Sequence, residues 1–371
     1  MGTLRLKVEA DPKSEASLRA IARAAEILRD GGTVAFPTET VYGLGANALS
    51  ASAVEKIFTA KERPSWDPLI VHIGERAMLG QVAAEVCQDA HRLIEAFWPG
   101  PLTLLLPRHA RVPEIVTAGL ERVGVRMPAH PVARALLVQA GVPVAAPSAN
   151  RFGRTSPTRA EHVAEDLDGR IDAILEGGET THGVESTVVA VRPDECVIYR
   201  PGVITLEQIR EVCRGDVRFR TEIEKSELEK AAPAPGMGSR HYAPQARLVL
   251  VEGSPPGLNV ALVDEVNRQE EAGEVVGVMA PEGFMAALML MRKKPFDMRG
   301  FAMGYDSVHV YHWGAWERSE GLAQKLYAGL RWLDAAGVTV IVCPLPEPFG
   351  IGLAVRDRLV RAANRGPGTD R

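Results

Sequence analysis

The chain is poor in the features that usually announce a function. Its four cysteines, Cys87, Cys196, Cys213 and Cys343, lie far apart in sequence and form no CxxC pair. That spacing speaks against a disulfide framework or a zinc ribbon and for reduced thiols. There is no GxGxxG stretch, Walker lysine motif, Ser-His-Asp arrangement or three-ligand metal spacing, so a dinucleotide role and a resident metal are not expected. A formal net charge of -4 offers no basic surface, so a polyanion would need a local cluster of cations. The first residues lack a basic-then-apolar signal pattern, and Leu6 spoils a myristoylation match. The longest apolar run, Phe284 to Met291, is too short to span a bilayer. A cytoplasmic protein with no membrane partner is the expectation. No internal repeat stands out.

What is present reads as two α/β domains. At 371 residues the chain exceeds what one hydrophobic core usually serves, about 250–300 residues. Its 46% hydrophobic and 24% charged residues are those of an ordinary globular protein. Residues 11–30 predict an amphipathic helix, with Asp11-Pro12 as cap and first-turn proline and Leu18, Ile21, Ala22, Ala25 and Leu28 at helical spacing. Gly31-Gly32 stops it, residues 33–36 predict a strand, and 50–63 predict a helix capped by Ser50.

Short apolar strands are expected at 69–73, 102–106, 123–127, 142–146, 171–175, 186–191 and 196–199, with helices at 131–141 and 158–167. Mixed α/β with one large twisted sheet follows. After a helix at 205–213 the composition turns charged, then rich in Pro and Gly, as in a linker. The expected domains are therefore 1–216, a linker at 217–245, and 246–371. In the last, strands at 246–253, 275–280 and 338–343 alternate with helices near 260–272, 321–337 and 353–364. That alternation predicts a smaller, Rossmann-like doubly wound domain.

Several stretches place polar residues where the pattern asks for burial. After the strand at 33–36 come Pro37, Thr38, Glu39, Thr40 and Tyr42 among glycines. Such a loop either turns the chain, its threonines bonding their own backbone, or holds a ligand. Lys61 and Arg63 end a helix, where the negative helix end alone would favour them. Pro64 and Pro68 stiffen the segment around Asp67, so the two cations equally suit a polyphosphate clamp. His72 lies in an apolar strand, where a packed core histidine is the plain alternative.

Arg126, embedded in a buried strand, needs a carboxylate, a phosphate or an open cavity. Arg122, at that strand's start, suits solvent as well. Ser148 and Asn150 follow an apolar strand and Ser156 opens a helix, together an anion-binding corner. Helix capping alone explains Ser156 but not the other two. Glu185, Ser186 and Thr187 start one strand and Arg200 ends another. Strand ends in α/β sheets converge on a cleft. Cations with many hydroxyls and no Cys/His cluster fit a nucleoside triphosphate plus a small carboxylate ligand.

In this order, TVAFPTETVYGLGAN, KERPSWDPLIVHI, WPGPLTLLL, VGVRMP, PSAN, GVESTVV and RPGVIT resemble the YrdC/Sua5 family of threonylcarbamoyl-AMP synthases. APGMGSRHYAP (234–244), LRWLDAAGV and GIGLAVRDRL extend the resemblance to the long, two-domain form. The resemblance implies a twisted N-terminal sheet lining a concave cavity. It also implies the reaction of L-threonine, bicarbonate or CO2, and ATP with Mg2+ to threonylcarbamoyl-adenylate and pyrophosphate. A tRNA threonylcarbamoyltransferase then passes the group to adenosine 37 of tRNAs that read codons starting with A.

By motif, Thr38, His72, Arg126, Ala146 and Ser186 are implied to hold threonine. Lys61, Asp67, Arg122, Ser148, Asn150, Ser156 and Arg200 are implied around ATP, with Lys61 and Arg63 catalytic and Arg240, His241 and Tyr242 in a lid. Asp67 stands where many relatives carry Asn, so it is expected on ribose, adenine or Mg2+, and Arg122 stands where a small hydroxyl residue is usual. One rival is a module that binds tRNA or other RNA in the cationic cavity without making an adenylate. Another, the carbamoyltransferase domain of hydrogenase maturation, would bring paired zinc-type cysteines that this chain lacks.

Overall fold

Ser14 decides where the first helix begins. Its hydroxyl accepts from the Ser17 amide, so the helix runs Glu15–Arg29 and not from the Asp11-Pro12 start expected above. Asp11 instead builds the preceding turn, its carbonyl accepting from the Ser17 hydroxyl at 2.8 Å and its carboxylate from the Lys13 amide at 2.9 Å. Ser50 caps the next helix, Ala51–Lys61, by accepting from the Ala53 amide. Glu62 then adopts the left-handed region (φ 55°), so Lys61 remains the last helical residue and Arg63 leaves the helix.

The structure is a computed structural model that describes residues 2–9, 11–220, 242–253, 257–291 and 308–364. The chain divides into two compact units, Met1–Phe152 with Ser156–Gly238, and Gly153–Thr155 with Ser239–Arg371. In the first, the described strands are β1 (Leu4–Lys7), β2 (Val34–Phe36), β3 (Gly43–Asn47), β4 (Ile70–His72), β5 (Leu102–Pro107) and β6 (Arg122–Arg126). They continue with β7 (Val144–Ala145), β8 (Ala173–Glu176), β9 (Thr187–Arg192), β10 (Glu195–Arg200) and β11 (Asp216–Phe219). Together they form one twisted mixed sheet in the order β1-β8-β2-β3-β7-β4-β6-β5-β9-β10-β11. β11 pairs with β10 across the domain boundary expected at 216.

Alternation along the strands gives the sheet two unlike faces. Val71, Leu102, Leu104, Val123, Val125, Val189 and Val191 face a large core shared with the helices Ala51–Lys61, Gln88–Phe97 and Ala160–Leu167. On the opposite face, Val34, Phe36, Ala173 and Leu175 are covered by the helices Glu15–Arg29 and Pro131–Ala140. Further along that second face, Leu105, Val188 and Ala190 form a small cluster that contains no helix residue. His72, Thr103, Arg122 and Arg126 fall on this same face by alternation.

Strand directions decide which ends meet. β4 and β6 are parallel, β5 runs against β6 and with β9, and β10 returns against β9. β4, β6 and β10 therefore end, and β5 and β9 begin, at one edge of the sheet.

The second unit is a parallel sheet of β12 (Arg247–Val251), β13 (Val276–Pro281), β14 (Val308–Gly314) and β15 (Val340–Pro344), ordered β12-β15-β13-β14. The helices Gly257–Glu271 and Phe284–Met291 bury Leu262, Val266, Phe284 and Leu288 against Val276 and Val278. The helix Ser319–Ala335 packs on the other face, where a Cβ on Gly277 would come within 2.9 Å of Leu333. Helices on both faces of a parallel sheet make it doubly wound, as expected. Among the described residues no helix is long and apolar enough to cross a membrane.

Candidate functional site

Arg126 ends β6 and is buried, its guanidinium held by three protein partners. Nη1 donates to Thr40 Oγ1 at 2.8 Å, Nε donates to Gly100 O at 3.2 Å, and Nη2 forms an ion pair with Glu39 at 2.5 Å. Thr40 and Thr38 hydroxyls lie 2.8 Å apart, and Thr38 also donates to Val41 O at 2.6 Å. The loop after β2 thus bonds its own backbone, as threonines in turns do, and presents the Thr40 hydroxyl to a buried cation. His72 is the register partner of Arg126 on β4. Burial, with Arg126 adding and Glu39 opposing, pushes its imidazole down to about 3, so it is neutral near pH 7.

Lys61 forms the second group. It is buried, and its ammonium donates to Ser148 O at 2.6 Å and to Asn150 O, both just beyond β7. Neither partner carries charge. Burial and the nearby Arg63 hold the ammonium well below the ordinary lysine range. Arg63 is met differently: Nη2 lies 2.9 Å from Asp67 Oδ2, and the guanidinium also donates to Asp67 O and Pro68 O. Both partners are buried, so the proline-stiffened segment closes on itself around this pair.

The third group gathers at the edge where β9 begins and β10 ends. Arg200 donates to Ser186 O at 3.0 Å and to Ser186 Oγ at 3.2 Å, and Ser186 Oγ lies 2.8 Å from Thr103 Oγ1. Ser156 donates to Glu185 Oε1 at 2.6 Å. Ser156 is therefore not the helix cap allowed for above: the helix starts at Ala160, with Arg159 at its cap position.

Backbone bonds join the groups, since the Tyr42 amide donates to Pro157 O and the Ala149 amide to Tyr42 O. Ala146 is buried and its amide donates to Ile70 O. Arg122 lies at the far end of β6 from Arg126, half-buried, with Nη1 donating to Leu105 O and Val191 O. Tyr242 belongs to the second unit, where it packs on Tyr327 and beneath Arg358. Arg240 and His241 lie outside the described residues.

Two features escape the sequence pattern. Glu39 and Tyr42, given no individual role by the sequence, have definite partners. Glu39 meets Arg126, and Tyr42 donates from its hydroxyl to Gly178 O at 2.7 Å while accepting from the Gly177 amide at 3.3 Å. Two cysteines that look isolated also meet: Cys196 Sγ lies 3.0 Å from Cys213 Sγ, with Asp89 beside them. This trio is the one group of three potential metal ligands among the described residues. Asp89, however, already accepts from the Arg214 and Gly215 amides and pairs with Arg92. Cys196 sits in the helix-covered core, so the trio lies on the face opposite Arg126.

A sheet edge that gathers buried cations, hydroxyls and one neutral imidazole is chemically suited to small anionic ligands. Residues 26–202 match the Sua5/YciO/YrdC family, described as "Telomere recombination", and residues 204–364 match "Threonylcarbamoyl-AMP synthase, C-terminal domain". A threonylcarbamoyl-AMP synthase of Pyrococcus abyssi is 42% identical over 92% of this chain and 93% of its own length. The Bacillus subtilis protein of the same name is 44% identical over 92% of each. The crystal structure of P. abyssi Sua5 complexed with L-threonine is similar with a TM-score of 0.83 at 40% identity, covering 97% of both chains. The chain belongs to the Sua5/YciO/YrdC family, in its long form with the C-terminal domain.

Proposed function

We infer that this chain is an L-threonylcarbamoyladenylate synthase, an ATP-using nucleotidyltransferase that condenses L-threonine, bicarbonate or CO2, and ATP and releases pyrophosphate. The product serves a separate tRNA threonylcarbamoyltransferase. The observation that carries the reading is Lys61. A buried ammonium that hydrogen-bonds to carbonyl oxygens, and whose charge burial and Arg63 disfavour more than Asp166 and Asp67 support it, is a site prepared for an anion.

The roles divide along the three groups. Arg126, His72, Thr38, Ala146 and Ser186 would surround threonine, with the guanidinium on its carboxylate. Lys61, Ser148, Asn150, Ser156 and Arg200 would surround ATP, with Arg122 at the far end of the same face. The threonine amine first becomes a carbamate, whose oxygen attacks the α-phosphorus in line while pyrophosphate leaves. Lys61 offsets charge developing on the phosphates, and Arg63, fixed by Asp67, holds the loop beside it.

Mg2+ would supply further charge neutralisation on the triphosphate. Asp67 and Glu185 are already engaged by Arg63 and Ser156, and the described residues gather no set of carboxylates here. The ion would therefore arrive on the phosphates. The test is pyrophosphate release with ATP, threonine and bicarbonate, each omitted in turn. Release should need all three, and release that ignores threonine overturns the reading.

A further inference from the structure

Glu39 has no part in the reaction as derived so far, yet it is buried against the cation expected to bind substrate. We propose that Glu39 holds the α-ammonium of the amino-acid substrate and takes up a proton when that amine is carboxylated. This rests on the reading of the chain as a threonine-using synthase.

An amino acid is a zwitterion, and the Glu39–Arg126 pair is its mirror image in charge. Arg126 Nη2 and both Glu39 carboxylate oxygens are buried, and none meets full hydrogen-bond geometry despite the ion pair at 2.5 Å. Each keeps capacity for a ligand atom. Placing the substrate carboxylate on Arg126 and its ammonium on Glu39 replaces one ion pair by two and buries no net charge. Binding to Arg126 alone would leave the ammonium uncompensated in a low-dielectric site. His72, His130 and His182 also lie near Glu39, and burial holds each below the ordinary imidazole range, so near pH 7 they are neutral and add no competing charge. The Glu39 backbone is fixed, its carbonyl accepting from the His182 amide at 2.8 Å and the Thr181 hydroxyl at 3.1 Å.

The proton balance needs such a group. An ammonium and bicarbonate give the carbamate, water and one proton: the N–C bond forms and two N–H bonds break. One of those protons leaves with the bicarbonate hydroxyl as water, and the other goes to Glu39. In the free protein, burial raises the Glu39 carboxyl, but Arg126 and the amides of Glu39 and Ala129 more than offset it and hold it low. A substrate carboxylate on Arg126 weakens that lowering influence, so Glu39 becomes a better base only once substrate is seated.

Calorimetric binding of L-threonine and of 3-hydroxybutanoate, which lacks the amine, tests this on the full chain. The unaltered protein should favour threonine by about tenfold or more, the value of a hydrogen bond to a charged group. Glu39→Gln should erase that preference, with 3-hydroxybutanoate binding at least as tightly as to the unaltered protein and ATP binding nearly unchanged, and Glu39→Asp should restore part of it. Equal loss of both ligands in Glu39→Gln would make Glu39 a mere support for Arg126 and overturn the proposal. So would equal affinity for both ligands in the unaltered protein, a result independent of how any variant folds. If the unaltered protein binds neither, the synthase reading fails instead.

Discussion

Asp67 is the counter-ion of Arg63, at 2.9 Å with both side chains buried. The acid expected on ribose, adenine or Mg2+ thus has a partner within its own loop. Removing one member of a buried pair strands the other. Asp67→Ala should therefore destabilise the first unit by about 3–5 kcal/mol in urea unfolding. Asp67→Asn, which keeps an acceptor for Arg63, should lose less and should leave the KM for ATP within a few-fold. A collapse of ATP affinity in Asp67→Asn with stability intact would assign Asp67 to the nucleotide instead.

Lys61 is held by two carbonyls and not by an acid, so its removal should spare the fold more than the chemistry. Lys61→Ala loses two hydrogen bonds, about 1–3 kcal/mol. Pyrophosphate release should drop by about a hundredfold or more, the usual effect of deleting one charge-stabilising donor. Near-normal release would remove Lys61 from the mechanism.

The burial of His72 makes stability pH-dependent in a defined window. Its imidazole, ordinarily at 6.5, is held down to about 3 in the folded chain. As pH falls through 6.5 the unfolded chain gains a proton that the folded chain refuses. The contribution is thus complete above that pH and shrinks below it, by about 1.4 kcal/mol per pH unit. Glu39, lowered from 4.5, adds a loss of its own only as pH falls through about 4.5, below the range of the test that follows. Denaturant unfolding between about pH 7 and 5 should show a shallower acid decline in His72→Gln than in the parent. Parallel declines would mean that His72 is not a buried neutral imidazole.

Cys196 and Cys213 are positioned to react with each other. Cys213 is the more acidic and more exposed thiol, and Cys196 is buried with its thiol pushed up, chiefly by its bond to Cys213. Treatment with a small-molecule disulfide should link these two, and Cys196→Ser should instead trap a mixed disulfide at Cys213. Peptide mapping that found Cys87 joined to either one would contradict the geometry.

Most strands were legible because apolar runs bounded by turn residues leave a strong pattern. β1 was not, because three of its four residues are exposed and no alternation marks it. β3 hides for the opposite reason. Gly43 and Gly45 read as loop, yet a Cβ on Gly45 would come within 2.7 Å of Val144 and 2.8 Å of Phe36, so close strand packing requires the glycine. At the site, Arg126 announced that it needed an anion, but pattern alone could not say that the anion is Glu39 from a distant loop. The same blindness to long-range contact separated Cys196 from Cys213. Arg63 and Asp67 are near in sequence, but nothing in composition distinguishes a closed pair from two open ligands.

The Tyr42 hydroxyl pins the turn at Gly177-Gly178 to the loop that carries Thr38, Glu39 and Thr40. Further along that second loop, Thr181 and His182 grip the Glu39 carbonyl. Two segments far apart in the chain are thereby riveted into one plate. A substrate that shifts either of them must carry the other along.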